Sequence, residues 1–349
     1  MKSKTFVVFL SILTLLVLSS ALAFAGTGVL ATDCVKAMEE LKDLIVTNFF
    51  YLALFGFIIG AMGGFFGVGG GFLMVPMLNV IFGIPYNVAV GSDLGQMAGM
   101  SASATVRHMK FGNIDFKLGF LMIIGTVPGV ELGAQVLQAL KHVGIIEIAS
   151  KQVSIMDLVM SFVYILLLVF LGLGMIRESL RTMKRQAGRV DLKAADAPAS
   201  GVVLRLRTIK LPPMVSLPAS GIESISLWVV LGIGFATGLL SGMLGVGGGF
   251  IRMPALVYIV GCPTVVAVGS DLFGIVFSAG YGVITHAFKG NVNLVLVLAL
   301  LLGTTIGAQV GASFTRMAGG PRVRLGFGAL AFIGVIMVVV KLYIMMFAG

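Results

Sequence analysis

The stretch GFFGVGGGFLMVPML, Gly64 to Leu78, returns as GMLGVGGGFIRMPAL, Gly242 to Leu256. The match extends without a gap from Gly64–Ala134 to Gly242–Ala312 at a constant offset of 178, with roughly 28 of 71 positions identical. The chain is therefore internally duplicated. Each copy carries a Gly-x-Gly-Gly-Gly run and a proline (Pro76, Pro254). A Gly-x-Pro turn (Gly83 and Pro85, Gly261 and Pro263) then leads into Val-Ala-Val-Gly-Ser-Asp-Leu. Asp93 and Asp271 so fall at matching points of two apolar segments. A glycine break and a lone acid, repeated in two apolar halves, is the pattern of a transport site built between related modules.

The composition agrees. Of 349 residues 58% are hydrophobic and only 11% charged, with a mean hydropathy of +1.09. Soluble domains carry about 25% charged residues. The apolar runs are long enough for helices rather than barrel strands, so the chain reads as an all-α polytopic protein whose solvent is the lipid bilayer. The net charge of +10 does not point to nucleic acid, because the basic residues sit between the apolar runs, as membrane topology requires. Cys34 and Cys262 match no metal-ligand spacing, and no Lys-Ser/Thr closes either glycine run as in a phosphate-binding loop. No cofactor, metal or catalytic constellation is expected.

Residues 1–25 read as a signal sequence, with Lys2 and Lys4 before an apolar run and Ala23-Phe24-Ala25 as a cleavage site, or else as a first transmembrane helix. Residues 26–48 form a short, mildly acidic outer segment. The first repeat covers 49–176, in apolar pieces near 49–66, 72–82, 88–106, 116–140 and 155–176. Residues 177–223, with nine Lys and Arg, read as a flexible cytoplasmic linker. The second repeat, 224–349, has pieces near 226–244, 250–260, 265–285, 294–314 and 325–347, giving five per half. The pieces at 72–82 and 250–260 are too short to cross about 30 Å of hydrocarbon at about 1.5 Å per residue.

Orientation follows from Lys and Arg. The linker, the turn at Arg107, Lys110 and Lys117, and the turn at Arg316, Arg322 and Arg324 are placed inside; the turn at His286 and Lys289 is placed outside. These agree when each half makes an odd number of crossings, which inverts one repeat relative to the other. Parallel repeats are the alternative, should the short pieces dip in and return.

Inside a bilayer the runs Gly67, Gly69, Gly70, Gly71 and Gly245, Gly247, Gly248, Gly249 cannot face lipid, since their backbone groups would lack partners. They either pack against the other half or line a wet cavity where a ligand approaches the bare backbone. Helices beginning after each run would aim their first amides at an anion. Gly56, Gly60, Gly234 and Gly238 read as close helix packing, as does the Gly-x-x-x-Gly spacing at Gly129–Gly133 and Gly307–Gly311. Asp93 and Asp271 each cost about 2.5 kcal/mol or more to insert. They read either as proton carriers or as helix N-caps just after the Gly-x-Pro turn. Ser92 and Ser270 offer hydroxyls to an oxyanion. Glu131, opposite Gln309, is a third candidate for protonation. His108 and His286 read as interfacial side chains beside a turn, or as a gate. Arg252, with Met74 as its counterpart, either neutralises an oxyanion or pairs with Asp271.

Taken together, the duplicated Gly-x-Gly-Gly-Gly-Phe…Pro-x-Leu, the Gly-x-Pro turn, Val-Ala-Val-Gly-Ser, His…Gly-Asn and Gly…Gly-Ala resemble the sulfite exporter TauE/SafE family, also called the 4-toluene sulfonate uptake permease group. The likeness spans about 49–347. It implies an inner-membrane carrier of sulfite, sulfoacetate or other small sulfur-containing anions, driven by a proton or ion gradient, with the glycine runs as the family signature. The acids at Asp93 and Asp271, where the family pattern has a small hydroxyl pair, depart from it and suggest proton coupling or a different solute. Proton-coupled export of a sulfur oxyanion is the leading expectation. A passive anion channel, a carrier for another solute and a membrane assembly partner are the alternatives, and a homodimer is compatible with the sequence. An enzyme is not expected, because no nucleophile, metal cluster or cysteine pair is placed for one.

Overall fold

The computed structural model describes residues 43–148, 151–187, 211–245, 247–318 and 320–347. The leader and most of the 26–48 segment lie outside the described residues, as do residues 188–210 of the linker. In chain order the helices are α1 (Phe49–Phe66), α2 (Gly71–Phe82), α3 (Tyr86–Lys110), α4 (Phe116–His142), α5 (Ile155–Ala187), α6 (Leu227–Leu244), α7 (Gly249–Ala255, extended by a π-turn Leu256–Val260), α8 (Thr264–Phe288), α9 (Leu294–Ala318) and α10 (Gly320–Phe347). Among the described residues seven helices are long and apolar enough to cross a membrane: α1, α4, α5, α6, α8, α9 and α10. The shorter apolar helices are α2 and the α7 stretch. Helix α3 matches its counterpart α8 in length, 25 residues, but is more polar, with Gln96, Ser101, Ser103 and Thr105 along it.

Two antiparallel hairpins interrupt the all-helical plan. Strands β1 (Ile145–Ile148) and β2 (Lys151–Ser154) join α4 to α5, and β3 (Met214–Leu217) and β4 (Ile222–Ser226) precede α6. Neither was expected. Nor does α5 end at Ile176, where the charges begin; it continues to Ala187, because Arg, Lys, Glu and Met all favour helix once the chain leaves the apolar zone.

Two closely matched interfaces hold the halves together. Helix α1 packs on α9, and α6, the counterpart of α1, packs on α4, the counterpart of α9. Each half therefore lends its first helix to the other. Glycine makes the contact possible. Gly56, Gly60 and Gly64 lie against Leu300, Thr304 and Ala308, while Gly303, Gly307 and Gly311 lie against Ala53, Phe57 and Ala61. In the second interface Gly234, Gly238 and Gly242 meet Met122, Thr126 and Val130, and Gly125, Gly129 and Gly133 meet Leu231, Phe235 and Leu239. A methyl group on Gly60 would stand 2.5 Å from Thr304 Cα. Lipid tails are as apolar as leucine, so backbone proximity, rather than exclusion of water, supplies the attraction.

Helices α3 and α8 lie in contact inside this frame and are largely buried. They run antiparallel. Gly91, near the start of α3, faces Asn291 and His286 at the end of α8, and Gly269, near the start of α8, faces Asn113 beyond the end of α3. Lipid-facing side chains such as Phe50, Phe170 and Phe314 stand exposed on the outer helices.

Gly60→Ala is expected to lower the thermal midpoint of the purified protein by several degrees, since forcing apart a packed contact costs about 1–3 kcal/mol. Gly232→Ala, on α6 with open space around the added methyl, should leave the midpoint unchanged or raise it slightly.

Candidate functional site

The two glycine runs meet. Helix α1 ends on Gly67 in the left-handed conformation (φ 76°), Gly69 and Gly70 also have positive φ, and α2 begins at Gly71. In the other half Gly245, Gly247 and Gly248 repeat this before Gly249. Side chains rarely tolerate such angles, so three of the glycines in each run are required by conformation alone. Space imposes a second demand. A methyl on Gly71 would lie 3.0 Å from the carbonyl oxygen of Gly245 and 2.5 Å from Asp93 Oδ2; one on Gly249 would lie 2.9 Å from the carbonyl carbon of Val68 and 2.9 Å from Asp271 Oδ2. The first residues past the breaks, Phe72 and Phe250, stack with centroids 6.1 Å apart and planes 17° apart. Thus the starts of α2 and α7 converge between α3 and α8, and each carries a buried carboxylate beside it. Helix geometry leaves their first amides without intrahelical acceptors. Met97 and its counterpart Ile275 fill the hollow, Met97 against both Gly69 and Gly247. All these residues are buried, so the site is closed in this conformation.

Asp93 and Asp271 are not helix caps. Helices α3 and α8 already begin at Tyr86 and Thr264, with Pro85 and Pro263 as N-caps, because proline's fixed φ suits a helix start. Both acids lie two turns inside and are fully buried. Their surroundings differ. Asp271 Oδ1 lies 3.4 Å from Arg252 Nη1, an ion pair by distance whose angles miss hydrogen-bond geometry. Arg252 is buried too, and its other nitrogens reach the hydroxyls of Thr237 and Thr126, each at 3.4 Å. Among the described residues no cation pairs with Asp93. Its Oδ1 accepts a 2.6 Å hydrogen bond from Gln96, while Oδ2 has no hydrogen-bond partner.

Ser92 and Ser270 serve the opposite half. Ser92 Oγ accepts the Asn293 amide (2.9 Å), and Asn293 caps α9 through Leu296 N (3.1 Å). Ser270 Oγ accepts the Asp115 amide (2.8 Å), and Asp115 caps α4 through Leu118 N (3.0 Å). The hairpin before α6 adds to the second cap, where Ser220 donates to Asp115 Oδ2 at 2.6 Å. His286 Nε2 lies 3.0 Å from the carbonyl of Gly242, at one glycine interface, and His108 stands at the equivalent Gly64. Both histidines are buried, in the last turns of α3 and α8.

Glu131 is not deep. It is about one-third exposed, pairs with Lys289 at 3.6 Å and accepts from Gln135, Tyr281 and Thr285. It shares α4 with Gly125, Gly129 and Gly133, which pack on α6, whereas Glu131 meets the last turns of α8. A cavity of about 430 Å³ lies elsewhere, between α5 and α7, lined by Phe170, Gly174, Glu178, Pro254 and Tyr258 among others. Its exposed lining is mostly apolar, with the charged residues Arg177 and Glu178 also among those that line it. Among the described residues no cluster of metal-ligating side chains occurs.

Sequence reasoning did not single out Gln96, Thr237, Gly274, Met97 or Ile275. The visible signal was Gln96 facing Gly274 at the repeat offset, three residues after each acid.

Comparison with known proteins adds identity. The family model for the sulfite exporter TauE/SafE matches residues 52–338. The chain is 28% identical over 276 residues to the "Probable membrane transporter protein YunE" of Bacillus subtilis, covering 77% of this chain and 89% of the relative. It is 27% identical over 261 residues to the "Probable membrane transporter protein YdhB" of the same organism, covering 75% and 88%. No solved structure gives a significant match.

Met97→Ala should open the hollow between the two breaks. Because a buried large-to-small change costs about 2–5 kcal/mol, a lowered thermal midpoint is expected, partly restored when a small anion is added. A midpoint unaffected by anions would speak against a ligand-sized hollow there.

Proposed function

Because the chain belongs to the sulfite exporter TauE/SafE family, we propose that it is a secondary transporter of small anions, with sulfite or an organosulfonate as the leading substrate, coupled to protons. The observation that carries this reading is the convergence of two glycine breaks and two buried carboxylates at one place. In hydrocarbon, converging helix starts without side chains are costly unless something polar comes to them. Amides at Gly67–Gly71 and Gly245–Gly249 would bind the oxyanion, as helix N-termini do generally. Arg252 would supply the full positive charge.

The chemistry of coupling follows from competition. While Asp271 is ionised it holds Arg252, and a substrate anion entering beside it meets a negative charge. Protonation of Asp271 releases the guanidinium to the substrate, so one proton enters with one negative charge. Asp93, solvated by Gln96 alone, has less to stabilise its ionised form and would act as a second proton carrier. Ser92 and Ser270 contribute by joining α3 and α8 to the caps of α9 and α4, which would transmit movement at the acids to the opposite half. Glu131 would act at the outer rim with Lys289.

The antiparallel contact of α3 with α8, which are repeat equivalents, supports an inverted arrangement of the two halves, five helical pieces in each. In that arrangement Arg107, Lys110, Lys117 and the 214–226 hairpin share the cytoplasmic side with the end of α5, and Lys289 lies outside. The location implied is the inner membrane, multi-pass, with the residues before α1 outside.

In proteoliposomes loaded with a pH gradient, sulfite flux should rise with the proton gradient. Asp271→Asn should abolish that dependence, and Asp93→Asn should lower flux at least about tenfold, as expected when a buried charge-assisted interaction worth about 1.5–3 kcal/mol is lost. A flux indifferent to the gradient in the unaltered protein would favour a passive channel instead.

A further inference from the structure

The two halves are alike where the backbone must approach the ligand and unlike where charge is placed. At the repeat offset of 178, Arg252 replaces Met74, Thr237 replaces Ile59 and Gly274 replaces Gln96. These three exchanges form one unit. Arg252 reaches the Thr237 hydroxyl and the Asp271 carboxylate. Its guanidinium also occupies the space over Gly274, where an added methyl would lie 2.6 Å from Nη1 and meet atoms of no other residue within 4 Å. In the first half that space belongs to the Gln96 side chain, which binds Asp93. One acid is thus neutralised by a cation, the other solvated by an amide. A side chain at 274 would displace the guanidinium from its seat, so the glycine at 274 goes with the arginine at 252.

Charge counting over the site is then simple. Among the described residues the cation paired with an acid beside the two breaks is Arg252, which faces Asp271, while Asp93 is met by Gln96. With both acids protonated the site carries one positive charge; with either ionised it carries none. The helix-start amides solvate an anion but add no net charge. A doubly charged anion would always leave negative charge uncompensated in a buried place, which is expensive. We infer that residues 237, 252 and 274 set the site for a single negative charge, selecting singly charged oxyanions of the organosulfonate type over doubly charged ones such as sulfate. This rests on the transport reading above.

The test exchanges the units. Sulfite flux into proteoliposomes is measured at a mildly acidic pH, where the hydrogensulfite monoanion predominates, with methanesulfonate or sulfate as competitor. In the unaltered protein methanesulfonate should compete at least about tenfold better than sulfate, the effect of one charge-assisted contact. Ile59→Thr/Met74→Arg/Gln96→Gly, which gives the first half a cation, should narrow or reverse that ratio. Thr237→Ile/Arg252→Met/Gly274→Gln should weaken both competitors yet keep the thermal midpoint, whereas Arg252→Met alone should lower the midpoint by several degrees, because it strands Asp271. Flux in the unaltered protein with equal competition by sulfate, or a ratio unmoved by the added cation, overturns the inference and leaves the transport reading standing. No anion flux in the unaltered protein overturns both.

Discussion

Backbone amides and carbonyls in hydrocarbon must find partners, and this one constraint orders the molecule. Each half breaks a helix with glycine, at Gly67–Gly71 and at Gly245–Gly249. Neither break could be left against lipid. They are brought together instead, each shielded by the other and by α3 and α8, with Phe72 stacked on Phe250 behind them. Burial of the acids beside them follows from the same placement, since Asp93 touches the start of α2 and Asp271 the start of α7.

The glycine ridges make that meeting possible. Exchange of α1 and α6 between the halves forces the two modules to interlock, and the backbone-to-backbone distances at Gly60 or Gly238 leave no room for a side chain. The serine-to-cap bonds from Ser92 to Asn293 and from Ser270 to Asp115 then tie the acid-bearing helices to the opposite module.

Much of this was legible in the residues. The duplication located the breaks, the matched acids, the helical pieces and the glycine spacings that turned out to be packing ridges. What it could not give was depth and partnership. Glu131 lies mid-segment, and its partners Lys289, Tyr281 and Thr285 come from the end of α8, a pairing that no spacing within α4 reveals. Of the two readings of Asp93 and Asp271, the cap rested on the turn before them, but the prolines at 85 and 263 start the helices earlier. The end of α5 was misplaced because charge was read as a boundary, although charged residues propagate a helix well. Arg252 was visible as an odd residue, whereas its seat over Gly274 depends on a contact between α7 and α8 that no spacing within one segment reveals.

The central claim is that an anion binds where the two breaks meet. Its most direct test is a structure of the protein determined with a brominated alkylsulfonate. The sulfonate should lie between Gly71 and Gly249, with Met97 displaced and the Arg252 guanidinium in contact with it. A sulfonate bound elsewhere, such as the apolar cavity between α5 and α7, with the breaks still closed on each other, would contradict the claim.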